Sequence, residues 1–152
     1  MMSQQDIKVF DAEQMVIGRL LTVAAKAALM GSNVVIVNAE KAIVTGDRRA
    51  QIESFKRKRE IRANYNPRKG PFHERRPDKL VRKMIRGMLA WPTPRGKAAY
   101  KRVSVHVGVP PEYSAVEKIV LEDARYDSLR NKCITIADLC YELGWRNRGA
   151  MS

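Results

Sequence analysis

Apolar positions in the first part of the chain change their spacing twice. Residues 7–10 alternate, which predicts a short strand, and residues 34–37 form a continuous apolar run, which is typical of a strand buried on both faces. Between them, apolar residues recur at helical spacing from Ile17 to Leu29, and Gly31 stands where a helix usually ends. Strand, helix and strand within about thirty residues predict a βαβ unit, and therefore a parallel sheet covered by helices.

The rest of the chain continues with short elements and one long break. Asp47 can cap a helix, and Thr135 with Asp138 three residues later resembles a capping box. The further predicted elements are a strand at 43–44, a helix from about 48 to 62, a loop at 64–77, a helix at 80–89, a short basic helix at 96–102, a strand at 103–107 and a last helix that begins after Thr135 and ends at Gly144. A length of 152 residues predicts a single domain, residues 1–152, large enough to bury a core.

Positive charge is concentrated in one segment of the chain. The formal net charge is +13, but residues 48–102 hold 19 Lys and Arg against four Asp and Glu, a net charge of +15. The other residues together carry −2. A solvated surface would mix its signs, whereas a segment of one sign repels itself unless a polyanion neutralises it. The distribution therefore favours nucleic acid as the partner over a charged surface kept for solubility.

The loop at 64–77 is the strongest local signal within this segment. It combines Arg and Lys with Tyr65, Phe72 and His73. Arg offers forked donors to phosphate oxygens, and aromatic rings stack on unpaired bases. Gly70 permits a close approach of the backbone, and the prolines reduce the entropy that is lost when the loop is ordered. An idle surface loop would seldom carry so many cations, so we interpret it as part of an RNA contact.

Other classes of function receive little support. Gly18 opens a helix after a strand, but neither a glycine-rich dinucleotide motif nor a phosphate-binding Gly-Lys-Ser/Thr motif is present. No Asp or Glu occurs between Lys79 and Pro111 to accompany Asp78 at a Mg²⁺ site, which argues against a nuclease. A nucleotide- or nucleic-acid-processing α/β enzyme is thus the runner-up. A DNA regulator would need one recognition helix, whereas these cations are spread over several elements.

The two cysteines and the chain start add further expectations. Cys133 and Cys140 have no His nearby and no Cys-x-x-Cys spacing, so we expect small buried side chains rather than a metal site.

No apolar run approaches about 18 residues, so no membrane span is predicted. The polar start lacks the pattern of a signal peptide, which predicts a cytoplasmic protein. No metal, cofactor or small-molecule substrate is expected.

Several short motifs resemble the large-subunit ribosomal protein thirteen family (universal L-thirteen). They occur in the family's order between about Ile7 and Pro111, so the resemblance covers most of the chain. The matching stretches are 18–20, 24–26, 34–40, 45–46, 68–73, 86–89, 95–99 and the strand through His106 to Pro110. Residues 70–73 and 95–96 resemble the archaeal and eukaryotic branch of the family. Ala90 departs from the pattern, which usually has Pro there, and beyond Pro111 the resemblance is loose.

The resemblance implies a fold and a role. The fold would be α/β, with three layers (α/β/α), a small and mainly parallel sheet, and basic helical and loop extensions. The role would be to bind large-subunit ribosomal RNA, to support assembly of the subunit and to contact neighbouring ribosomal proteins. Where motifs match, the resemblance carries over RNA contacts at Arg68, Lys69, His73, Arg86, Arg95 and Lys97.

The charge argument extends the candidate interface beyond those motifs. The prediction divides the chain into a βαβ platform (7–47), a basic RNA-binding segment (48–102) and a final part with the last strand and the C-terminal region (103–152). The further candidate contacts, which rest on charge and on the composition of the loop, are Lys56, Arg57, Lys58, Arg59, Arg62, Tyr65, Gly70, Phe72, Arg75, Arg76, Lys79, Arg82, Lys83, Lys101 and Arg102.

Overall fold

The computed structural model describes residues 6–127 and 132–147 of the chain. These described residues form five strands and six α-helices. The strands are β1 (Ile7–Asp11), β2 (Asn33–Val37), β3 (Ile43–Thr45), β4 (Val103–Val105) and β5 (Cys133–Thr135). The helices are α1 (Ile17–Leu29), α2 (Arg48–Glu60), α3 (Pro77–Met88), α4 (Pro94–Lys101), α5 (Pro111–Ser114) and α6 (Ile136–Glu142). Of these, α2, α3 and α4 follow one another without a strand between them.

A three-stranded parallel sheet forms the centre of the fold. β2 lies between β1 and β4, and Ile36 lies opposite Phe10 on one side and Val105 on the other. The apolar run 34–37 is buried throughout, because a central parallel strand packs on both of its faces. The α/β class and the mainly parallel sheet predicted from the sequence are thereby confirmed.

One face of the sheet carries the main hydrophobic core. Leu20 and Leu21 of α1 and Ile85 of α3 are inaccessible to solvent, and they belong to the same cluster of buried residues as Ile36. The chain can change direction sharply after the end of α1, because Gly31 adopts a φ of +105°, a conformation that costs little only for glycine. Most of the apolar positions at helical spacing in α1 and α3 are therefore buried in this core, whereas Met88 of α3 is 43% exposed.

The other face of the sheet has a thinner cover. Val9, Val35 and Val37 form a second small cluster, and partly buried Val109 and Tyr113 pack against it. These two residues lie in the segment around α5, a single helical turn. The layer on this side is thus made mainly of the chain that follows β4.

A small antiparallel ribbon joins the C-terminal part to the platform. β3 pairs with β5, placing Ile43 opposite Thr135. The Thr135 hydroxyl accepts a hydrogen bond from the backbone N–H of Asp138 at 3.1 Å, as the capping pattern predicts, and α6 follows. Cys140 on α6 is fully buried, and burial raises the pKa of its thiol to about 12, so it serves as an apolar core residue.

Several element boundaries differ from the prediction, including that of α4, which is Pro94–Lys101 rather than 96–102. The strand predicted at 103–107 ends at Val105, because the chain then turns. The backbone N–H of His106, just after β4, still donates a hydrogen bond to the carbonyl of Ile36 in β2. The loop at 64–77 contains a 3-10 turn at Pro67–Lys69, and Pro77 already belongs to α3, where its fixed φ suits the first helical position. α2 ends at Glu60 rather than near Arg62. Within the described residues, no helix has the length and apolar character needed to cross a membrane.

Candidate nucleic-acid interface

The basic segment forms three helices and the loop between the first two. Of the 21 candidate contact residues, 16 are exposed and five are half-buried. The half-buried ones are Arg59, Gly70, His73, Lys83 and Arg102. A contact with a polyanion requires exposed cations, and most of the predicted ones meet this condition.

Helix α2 lies on the surface and has no fully buried residue. Ile52 and Phe55 of α2 are partly buried against the main hydrophobic core. Charges add a second attachment, to α6: the Arg48 guanidinium lies 3.6 Å from carboxylate oxygens of Asp138 and Glu142, and Lys56 Nζ lies 4.0 Å from Glu142. Arg59 donates a hydrogen bond of 2.7 Å from Nη1 to the carbonyl of Leu143, beyond α6. The cations of α2 therefore divide between holding the helix in place and facing solvent.

The loop between α2 and α3 has a defined backbone. The Asn66 side chain accepts a hydrogen bond from the Arg68 N–H at 3.1 Å, which opens the 3-10 turn. At Gly70 an added Cβ would lie 2.8 Å from the backbone nitrogen of Ala63, too close for any other residue without a shift. Lys83 of α3 donates from Nζ to the carbonyl of Phe72 at 2.8 Å. These contacts fix the loop between the two helices.

His73 lies at the base of this loop and is neutral at pH 7. Burial lowers the pKa of His73 below its ordinary value of 6.5, and the positive charges of Lys83, Lys58 and Arg59 lower it further. Lys83 Nζ is 3.3 Å from Nδ1 of His73. Because an ammonium group can only donate, Nδ1 accepts and the ring proton is on Nε2. His73 therefore offers one N–H donor without adding a charge.

Two aromatic rings position the cations of α3. Trp91 and Tyr100 meet edge to face, with 4.9 Å between their ring centroids. The guanidinium of Arg82 lies over the Tyr100 ring at 4.8 Å, and that of Arg86 lies over the Trp91 ring at 4.2 Å. Stacking of this kind holds a guanidinium while its N–H groups stay free for a partner. The sequence analysis did not include Trp91 and Tyr100, although Arg residues four apart on one helix face beside two aromatic residues could have indicated them.

A tight turn between α3 and α4 sets the position of these rings. Thr93 donates to the carbonyl of Ala90 through its hydroxyl at 2.8 Å and accepts from the Gly96 N–H at 3.1 Å. The turn packs directly on Gly96, where an added Cβ would overlap the carbonyl carbon and oxygen of Ala90 and lie 3.0 Å from the nitrogen of Trp91. Gly96 is thus required by a close backbone approach.

The two glycines of this region are expected to respond in opposite ways to alanine. Gly96→Ala should lower the free energy of unfolding by roughly 1–3 kcal/mol, because the overlap is with backbone that cannot move aside cheaply. Gly87→Ala, in α3 with open space around it, should be neutral or raise it by up to about 1 kcal/mol. Urea denaturation of both variants measures the difference, and equal midpoints for the two would contradict the described contact.

Some predicted contact residues already have partners within the chain. Arg102 donates to the carbonyl of Ala28 at the end of α1, at 3.3 Å. Arg76 binds both carboxylate oxygens of Asp78, at 3.2 and 2.9 Å. Arg57 pairs with Glu53 at 2.7 Å. These residues, like Arg59, remain predicted RNA contacts, but part of their donor capacity is used by the fold.

A second group of cations has no such partner. In the described part of the chain these side chains make no hydrogen bond, ion pair or ring contact. They are exposed on the loop between α2 and α3, on α3 and on α4: Arg62, Arg68, Lys69, Lys79, Arg95, Lys97 and Lys101. Among the described residues there is also no cluster of His, Cys, Asp or Glu that could hold a metal ion. The arrangement can therefore neutralise several negative charges from outside.

Comparison with known proteins gives one consistent family. The sequence profile described as ribosomal protein L13 matches residues 5–112. The chain is 38% identical over 143 residues to the large ribosomal subunit protein uL13 of Archaeoglobus fulgidus, covering 93% of this chain and 90% of that protein. It is 41% identical over 137 residues to the protein of the same name from Methanocaldococcus jannaschii, covering 90% and 96% of the two chains. The similarity to these archaeal relatives extends past residue 112, where the profile ends.

Proposed function

The chain belongs to the ribosomal protein L13 family, of the archaeal type, and from this membership we propose that it binds large-subunit ribosomal RNA through residues 48–102. Proteins of this family are structural parts of the ribosome that serve translation, and the chain is therefore not an enzyme. It supports assembly of the large subunit, lies beside other large-subunit proteins, and works in the cytoplasm. Residues 1–152 act as one domain, in which the platform at 7–47 carries the basic segment.

The observation that carries this proposal is the set of exposed cations without partners in the described chain. A protein that merely needed solubility would mix charges of both signs on this face, but the basic segment has a net charge of +15. The cations lie on α3, α4 and the loop before α3 rather than on one helix. Such a spread suits a folded RNA that presents several backbone segments, and it suits a single DNA groove less well.

Co-sedimentation tests the proposal directly. A tagged full-length chain, expressed in archaeal cells, is expected to sediment with large ribosomal subunits on a sucrose gradient and to remain there after a moderate salt wash. The variant in which Arg68 and Lys69 are both changed to Glu should be lost from the subunit peak in that wash, because two attractions become repulsions. A wild-type chain found only at the top of the gradient before any salt wash would refute the proposal.

A further inference from the structure

An open cleft lies between the end of α2 and the loop that follows it. Its volume is about 350 Å³, and its lining combines cations with apolar side chains. The lining residues are Arg59, Ile61, Arg62, Pro67, Arg68, Pro71, Phe72 and His73. Pockets of roughly 300 Å³ and above are of a size that holds small organic groups, and apolar walls with a few placed polar groups are their usual composition.

The apolar walls of this cleft are unusually exposed. Phe72 is 70% exposed and Ile61 is 59% exposed, although both lie in the most polar part of the chain. Neither packs against the hydrophobic core. Large side chains left in water beside a charged surface mark a place where another molecule covers them. Phosphate groups cannot do so, because they need charge and hydrogen bonds rather than a flat apolar surface.

The polar groups of the cleft are suited to a ligand that has an uncharged ring between two negatively charged phosphate groups. Arg62 and Arg68 have no partner in the described part of the chain, so their guanidinium groups are available to two separate phosphates. His73 supplies an uncharged imidazole with one N–H donor. A neutral donor can bind an acceptor atom on a base edge, and the ring itself is a further stacking surface.

The backbone of the cleft is held before any ligand arrives. The Asn66 cap, the close packing of Gly70 on Ala63 and the bond from Lys83 to the Phe72 carbonyl fix the loop that carries Phe72. A residue whose backbone is already in place loses less conformational freedom when its ring is stacked, so less of the interaction energy is spent on ordering. The loop is therefore closer to a preformed binding surface than to a segment that folds only when its partner binds.

From these observations we propose that the cleft binds one unpaired nucleobase of RNA, stacked on Phe72, while Arg62 and Arg68 hold the flanking phosphates. The inference rests on the proposed function and adds to it the class of RNA element that is bound here: a nucleotide extruded from a loop, a bulge or an end. The bases inside a regular duplex cannot stack on a side chain, so a duplex would meet only the cations of this site.

The experiment compares RNA probes that carry equal charge. The probes are a short single strand of abasic ribonucleotides with one central 2-aminopurine, the same strand with that central nucleotide also abasic, and a blunt RNA duplex with the same number of phosphates. Binding to the full-length protein is measured over a range of salt concentrations, together with the fluorescence of the 2-aminopurine. The intact single strand should bind most tightly, and its fluorescence should be quenched by stacking.

Substitutions at Phe72 separate stacking from charge. Phe72→Ala should weaken binding of the single strand by about 5- to 150-fold at every salt concentration, the usual effect of losing one stacked base, and should abolish the quenching. The salt slope should stay unchanged, whereas Arg68→Ala should reduce it by about one. Phe72→Tyr should retain the affinity. Met30→Ala, which removes an equally exposed apolar side chain outside the basic segment, should have no effect.

The possible outcomes distinguish this inference from the proposed function. Equal binding of the intact and abasic strands, or a Phe72→Ala variant with unchanged affinity, would overturn the base site while leaving RNA binding intact. Loss of Phe72 that weakens the duplex as much as the single strand would also overturn it. A wild-type protein that binds none of the probes and no ribosomal RNA would instead refute the proposed function.

Discussion

Affinity for ribosomal RNA is expected to fall by about three to five orders of magnitude as the salt concentration rises from about 50 to about 200 mM. Each phosphate that a Lys or Arg neutralises releases condensed counterions, and added salt opposes that release. The seven exposed cations without partners in the described chain, together with Arg82 and Arg86 over their aromatic rings, are enough to contact about 6–10 phosphates, the range that produces such a slope.

Filter binding at a series of salt concentrations measures this slope. Arg95→Gln combined with Lys97→Gln should reduce it by about two, since each phosphate contact contributes about one. Lys26→Gln, which removes an exposed cation from α1 outside the basic segment, is the matched control and should leave the slope unchanged. An affinity that barely changes over the same salt range would show that phosphate neutralisation is not the main source of binding.

The second large effect expected is a separation of stability from RNA binding. Leu21→Ala or Ile36→Ala should lower the free energy of unfolding by about 2–5 kcal/mol, because both side chains are fully buried in the core between the sheet and its helices. Changing Arg68 and Lys69 together to Glu should leave the free energy of unfolding almost unchanged, since both side chains are exposed and without partners in the described chain, and should abolish RNA binding.

Thermal melts followed by circular dichroism, beside filter binding, measure the two properties. The choice of cations matters for this test. Arg76 binds both carboxylate oxygens of Asp78 at the start of α3, so reversing the charge of Arg76 would disturb the fold as well as the interface. A melting temperature lowered as much by the Arg68 and Lys69 changes as by Ile36→Ala would disprove the separation.

Much of the fold could be predicted because its signals are local. The apolar run at 34–37 and the helical spacing before it fix β2 and α1, and Asp47 and Thr135 cap the helices they were expected to cap. The pairing of β3 with β5 could not be predicted in the same way. Each strand has three residues, too few for a periodic pattern, and the partners lie far apart along the chain, so only the packed structure brings them together.

The position of the candidate site stays a prediction from the sequence, and its internal contacts could not be predicted at all. Charge concentration identified the segment, because net charge depends on composition alone. Composition does not reveal which cations the fold itself uses, and so Arg59 and Arg102 could not be recognised as donors to backbone carbonyls. The positions of Trp91 and Tyr100 under Arg86 and Arg82 depend in the same way on the turn that packs against Gly96, a tertiary feature.

The attachment of α2 to α6 has a consequence for the order of events during synthesis. A chain grows from its N-terminus, so the basic segment leaves the exit tunnel well before α6 and the backbone carbonyl that receives Arg59. Until then α2 lacks its ion-pair partners Asp138 and Glu142, and only the partly buried Ile52 and Phe55 can attach it to the core. A nascent chain therefore presents its positive charge early, but the mutual arrangement of α2 and the following loop is completed only when the last helix is made.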